Sequence, residues 1–148
     1  MPDGQTNAMV EYRARCHCGA LTARYWTATT PEKWPVRACQ CSFCRAHGAL
    51  SISDPAGSLE FACSQPELQR YRFGTGTTEF LICRACGVYV GAQMASEGRR
   101  FGVLNGLTLT AVPEDLCSPK PMNYADETAE SRRVRRAARW TPLVRESV

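Results

Sequence analysis

The stretch "ACQCSFCRAHGAL", residues 38–50, sets Cys39, Cys41 and Cys44 in a C-x-C-x-x-C pattern with no fourth cysteine close behind. Three thiols are one short of the closed tetrahedral set of a structural zinc site, so the rest of the chain decides what this group is for. Working outward, one further pair stands on each side: Cys16 and Cys18 in "CHCG", and Cys83 and Cys86 in "CRACG". Closely spaced thiolates on a turn grip an ion from one side, and two such grips close a tetrahedron. The clustered cysteines therefore divide into four plus three.

The setting favours metal over disulfides. A chain of 148 residues fits one domain, large enough to bury roughly 70% of its unfolded surface. The opening "MPDGQTNAMVEYRARC" has no apolar run after a basic start, and no segment approaches the roughly 18 apolar residues of a membrane span. A soluble, cytoplasmic protein with no membrane partner is expected. Nine cysteines is an odd count, and a reducing compartment keeps thiols free, so their clustering points to metal. The net charge of +4 is local: residues 131–148 hold six arginines against one glutamate, leaving −1 on the preceding 130 residues. The body of the chain thus carries no basic groove for nucleic acid.

Short alternating segments recur between turns rich in Pro, Gly, Ser and Thr: "GALTARYW", "SLEFAC", "TEFLIC", "VYVGAQ" and "RRFGVLNGL" among them. Leu21, Ala23 and Tyr25 fall on one side of their segment, and Leu59, Phe61 and Cys63 on one side of theirs, the period of half-buried strands. A mainly β domain follows. After "TAVPEDLCSPKP", the segment "ADETAESRRVRRAARW" reads as a helix with acids early and arginines late, as the helix dipole prefers, ended by Pro142. The expected division is a flexible N-terminus over 1–10, a zinc domain over 11–117, and a C-terminal extension over 118–148 carrying the basic helix.

Glycine suggests which cysteines belong together. Gly19 and Gly87 each follow a pair, where an unhindered backbone can turn amides toward the sulfurs, whereas Cys44 is followed by Arg45. Cys16, Cys18, Cys83 and Cys86 are then the closed set, and Cys39, Cys41 and Cys44 hold a metal with one open position. Spacing alone leaves a set of Cys16, Cys18, Cys39 and Cys41 open. Three thiolates outweigh the charge of a divalent ion, so such a site polarises water weakly but accepts another sulfur well. A thiol substrate is expected.

The order C-x-C-G, then C-x-C-S-x-C-R leading to "GAL", then C-R-x-C-G resembles the glutathione-dependent formaldehyde-activating enzyme family, whose zinc domain is shared with centromere protein V. The likeness runs from about Cys16 to Leu109. It implies an Mss4-like zinc-bound β fold, a structural zinc on Cys16, Cys18, Cys83 and Cys86, and a second zinc on Cys39, Cys41 and Cys44, two per chain. The implied reaction condenses glutathione with formaldehyde to S-(hydroxymethyl)glutathione, a carbon-sulfur lyase activity. The alternative is a non-catalytic zinc module that meets a partner or nucleic acid through its basic helix. An iron-sulfur site is a further rival, since C-x-C-x-x-C can ligate clusters.

Other residues carry paired readings. His47 could fill the fourth metal position, although Gly48 suggests a turn leading away. His17 is expected to point outward. Arg45 and Arg84 sit inside knuckles, where they either contact a glutathione carboxylate or balance thiolate charge. Cys63 reads as a small buried hydrophobe, Cys117 as a loop thiol, and Asn105 with Gly106 as a hairpin turn. In the helix, Val134, Ala138 and nearby Trp140 form the docking side and the arginines a solvated one, so nucleic acid is not the expected partner. Pairing as a homodimer is left open.

Overall fold

The computed structural model describes residues 8–64 and 66–148, so most of the N-terminus expected to be flexible (1–10) lies outside the described residues, while Val10 already begins a strand. The alternating segments form two sheets. The smaller runs β1 (Val10–Arg15), β2 (Leu21–Thr27), β5 (Ser58–Cys63), antiparallel throughout. Its pairing sets Ala23 opposite Phe61 and Tyr25 opposite Leu59, so the period-two pattern delivers Leu21, Ala23, Tyr25, Leu59 and Phe61 to one fully buried face.

The larger sheet has the order β10 (Lys120–Met122), β3 (Arg37–Cys39), β4 (Ser51–Ile52), β9 (Arg99–Asn105), β8 (Tyr89–Ser96), β7 (Glu79–Cys83), β6 (Leu68–Tyr71), with β11 (Thr141–Pro142) also on β9. Strands β7, β8 and β9 are apolar on both faces because both are covered. One face, with Leu81, Val90 and Leu104, packs with the small sheet and Trp34. The other, with Phe80, Tyr89, Ala92, Phe101 and Val103, packs with Cys44 and Trp140. Gly91 allows the close approach of the sheets, since a Cβ there would lie 2.5 Å from the Phe61 ring and 2.6 Å from the Val103 carbonyl oxygen.

Residues 118–148, expected as an extension, are interleaved with both sheets. β10 pairs in parallel with β3, setting Met122 beside Cys39. β11 sets Thr141 beside Gly102, and the amides of Val144 and Val148 donate to Leu59 and Phe61 at 2.9 and 3.0 Å. Arg100 holds this last segment by donating to the carbonyls of Val144, Arg145, Ser147 and Val148.

Between these strands lies α2 (Ala129–Arg139), capped by Thr128, whose hydroxyl exchanges hydrogen bonds with Ser131. The helix ends at Arg139, before Pro142, because Trp140 turns to extended backbone while its amide still donates to Arg136 O at 2.7 Å. The expected docking side is corrected. Val134 is 56% exposed and Ala138 is exposed, whereas Arg132, Arg135, Arg136 and Ala137 turn inward and Trp140 is buried. Arginine tolerates that position because its stem covers apolar surface while its head finds acceptors. Asn105 is likewise no hairpin residue. It ends β9 and starts a 3-10 turn over Gly106–Thr108, accepting from Leu107 N and donating to Tyr89 O at 2.9 Å.

Candidate functional site

The first sulfur group forms where the β1–β2 turn meets the end of β7. The Sγ atoms of Cys16, Cys18, Cys83 and Cys86 all lie within 4.8 Å of one another, with Cys16–Cys18 at 3.7 Å and Cys18–Cys83 at 3.5 Å. Gly19 (φ 87°) and Gly87 (φ 80°) take the left-handed turn after each pair, a conformation costly for any residue with a side chain. Gly19 N–H donates to Cys16 O, Gly87 N–H to Cys83 O, and Leu21 N–H to Cys16 Sγ at 3.3 Å.

The second group is built at the start of α1 (Ser42–His47). Cys39 ends β3, Cys41 is the helix N-cap and accepts from Cys44 N–H at 3.4 Å, and Cys44 is buried in the first turn. Their sulfurs also lie within 4.8 Å of one another, and among the described residues no histidine or carboxylate joins them. His47 is exposed and packs on Phe43 with ring centroids 4.5 Å apart and the planes tilted by 40°; Gly48, at φ 60°, caps the helix and turns the chain away. A hydrogen bond from the Cys44 thiol holds Cys39 below the ordinary thiol range, and the same bond, with burial, raises Cys44.

Either group could hold a metal ion. A tetrahedral ion with metal–sulfur bonds of about 2.3 Å spaces its sulfurs about 3.8 Å apart, close to the separations of the first group, and amides aimed at sulfur are the usual support of such ligands. The set of Cys16, Cys18, Cys39 and Cys41 left open by spacing is not the one the fold assembles.

The two groups differ in what they face. Cys39, Cys41 and Cys44 line a cavity of about 180 Å³, and none of Cys16, Cys18, Cys83 and Cys86 does. Phe73, Phe80, Tyr89, Val103 and Trp140 supply its apolar wall. Burial, reinforced by the three nearby thiols, keeps the Tyr89 hydroxyl protonated well past its ordinary range.

Four arginines also line the cavity. Arg37 comes from β3, and Arg132, Arg135 and Arg136 from α2. Glu127 accepts two hydrogen bonds from Arg135, at 2.7 and 2.9 Å, and lies 3.4 Å from Arg132 Nε. Arg135 also stacks on the Tyr124 ring at 3.6 Å. Arg37 donates to Ser53 Oγ at 2.5 Å and Arg136 to Thr78 Oγ1, yet the Nε of each is buried without an acceptor among the described residues. Burial lowers Arg136 to about 10, still above neutral pH, and lowers Arg37 as well.

Arg45 and Arg84, read as either glutathione contacts or a balance to thiolate charge, are both exposed and do not line the cavity. His17 is exposed, Cys63 is half-buried against the core at the end of β5, and Cys117 sits in a loop. The four cavity arginines were missed in the sequence. The signal was present for three of them: positions 132, 135 and 136 share one helix face, away from Val134.

Residues 11–126 match the family described as glutathione-dependent formaldehyde-activating enzyme. A crystal structure of a Rhodobacter sphaeroides protein is 31% identical, over 74% of this chain and 99% of that one, and superposes with a TM-score of 0.59. No helix among the described residues is long and apolar enough to cross a membrane. With a match over most of its length that takes in all seven clustered cysteines, the chain belongs to the glutathione-dependent formaldehyde-activating enzyme family.

Proposed function

We propose that the chain is a zinc-dependent carbon-sulfur lyase-type enzyme that joins glutathione, or a similar thiol, to formaldehyde or another small aldehyde, giving S-(hydroxymethyl)glutathione in the first case. In this reading Cys16, Cys18, Cys83 and Cys86 hold a structural zinc, and Cys39, Cys41 and Cys44 hold a second with one position open to substrate. A zinc bound by three thiolates supplies affinity for a fourth sulfur and keeps it as thiolate near neutral pH. The observation that carries the reading is that the three-sulfur group opens onto a cavity while the four-sulfur group does not.

The protein's own residues define the rest. Phe80, Tyr89, Val103 and Trp140 exclude water from one side of the sulfurs, which limits competing hydration of the aldehyde and strengthens polar contacts inside. Holding both reactants in one small space supplies proximity. The thiolate electron pair forms the new S–C bond, the C=O π pair moves to oxygen, and that oxygen takes up from water a proton equivalent to the one the thiol released on becoming thiolate, giving the product hydroxyl.

The inward turn of Arg132, Arg135 and Arg136 favours this over a module that meets a partner or nucleic acid through α2. The test is NMR-detected formation of the S-hydroxymethyl adduct from glutathione and isotope-labelled formaldehyde, with metal analysis of the same sample. Catalysis above the spontaneous rate, lost in Cys41→Ser, is expected; a rate equal to the spontaneous one refutes the reading.

A further inference from the structure

The cavity contains more positive charge than the protein neutralises. Arg132 and Arg135 share the carboxylate of Glu127. Arg136 lies over the Trp140 ring at 4.9 Å, but among the described residues the hydrogen-bond partners of Arg37 and Arg136 are hydroxyls, on Ser53 and Thr78, and each leaves a buried Nε–H without an acceptor. Counting Glu127 and a zinc-loaded three-thiolate site of net single negative charge, two of the four guanidinium charges still lack a counter-ion. A buried donor with no acceptor bears the full desolvation cost of that group, and a buried cation more so. Arginine's planar fork matches the two oxygens of a carboxylate, the anionic group that a small thiol acid or glutathione carries.

The source of these cations matters as much as their number. The family match ends at residue 126, and α2, with three of the four arginines, lies wholly beyond it. The cationic wall is therefore contributed mainly by a segment outside the part of the chain that carries the family's pattern.

We propose that α2 is a specificity element: Arg136 and Arg37 form a carboxylate site beside the three cysteines, and the cavity selects thiols that carry a carboxylate close to the sulfur. This rests on the reading above, in which the thiol sulfur is held at Cys39, Cys41 and Cys44. A volume of about 180 Å³ is below the roughly 300–1,000 Å³ of pockets that enclose drug-sized ligands. The sulfur and the carboxylate recognised must lie on one compact fragment, either a small mercapto acid or the cysteinyl-glycine end of glutathione.

The experiment compares matched thiols on the zinc-loaded full chain: mercaptopropionate against mercaptopropanol, and glutathione against its glycyl ethyl ester. Dissociation constants are read by calorimetry and adduct formation by NMR. Each acid is expected to bind about 10- to 100-fold more tightly than its neutral partner, the range of a charge-assisted hydrogen bond. Arg136→Gln should narrow the difference between the acid and the neutral thiol, and Arg136→Lys should restore part of it, as charge without the fork. The thiol pairs test the unaltered protein, so a misfolded variant does not remove the answer. If acid and neutral thiols bind equally, the proposal is overturned, even where adduct still forms. If discrimination holds but no thiol yields adduct above the spontaneous rate, the enzymatic reading alone is overturned. Preference for mercaptopropionate over glutathione assigns the site to a small mercapto acid, and the reverse assigns it to glutathione.

Discussion

Replacing Cys18 and, separately, Cys41 by serine should separate the two sulfur groups by their effects on stability and on turnover. The four-sulfur group joins positions 65 residues apart, Cys18 to Cys83, linking the small sheet's first turn to β7. A cross-link closing a loop of that length removes about 4 kcal/mol of chain entropy from the unfolded state. The three-sulfur group spans only Cys39 to Cys44, where the same relation gives about 2 kcal/mol. The substitutions themselves are otherwise mild. Cys18 is exposed, so a hydroxyl there stays in water, and Cys41 is a helix N-cap, a position where serine is among the preferred residues. For the zinc-loaded protein, Cys18→Ser should lower the melting temperature by roughly 8–16 °C and Cys41→Ser by no more than roughly 4–8 °C, at about 2–4 °C per kcal/mol for a chain of this size. Adduct formation should show the opposite ranking. Thermal unfolding by circular dichroism, with activity measured on the same samples, is the assay. If Cys41→Ser destabilises as much as Cys18→Ser, both groups are structural and the division of labour argued above is wrong.

Two other perturbations test the frame around the site. Gly91→Ala forces a methyl into the Phe61 ring and the Val103 carbonyl; overpacking costs about 1–3 kcal/mol, and the upper end is expected because Phe61 is fully buried and the oxygen is backbone. A denaturant midpoint within error of the parent's would refute that packing. Glu127 is held below its ordinary value of 4.5 by its hydrogen bond from Arg135 and by the charges of Arg135 and Arg132. A depressed folded-state value means the contribution is present above about 4.5 and lost as pH falls through the folded value. Stability curves of the parent and Glu127→Gln should therefore differ at neutral pH and converge on acidification, and parallel curves would count against the pairing.

The strands around Leu21, Ala23, Tyr25, Leu59 and Phe61 were legible because one face of each meets the core and the other meets water, which writes a period of two into the residues. The turns at Gly19 and Gly87 were legible because only glycine is at ease at their positive φ. The wall of the cavity was not. Inward faces are ordinarily recognised by apolar side chains, and α2 turns Arg132, Arg135 and Arg136 in and its valine out, with acceptors in Glu127 just before the helix and in Thr78 on the surface it covers. The direction of Arg45 and Arg84 was not legible either. Adjacency to a cysteine in sequence says nothing of direction, and both side chains point to solvent. The placement of residues 118–148 depends on the β10–β3 and β11–β9 pairings, and contacts between segments that far apart leave no periodic trace.

Those two pairings fix α2 at both ends, one of them to the very strand that ends in Cys39. Ser53 adds a tie, accepting from Arg37 and donating to Arg139 O at 2.9 Å. A helix held this way is a wall, and its arginines are ordered when the chain folds, before any substrate arrives. The conformational entropy of immobilising long, rotamer-rich side chains then falls on folding and leaves association unburdened, which is the usual advantage of a preorganised site. A carboxylate entering the cavity meets guanidinium groups already held by Glu127, Thr78 and Ser53, and has little left to order except itself.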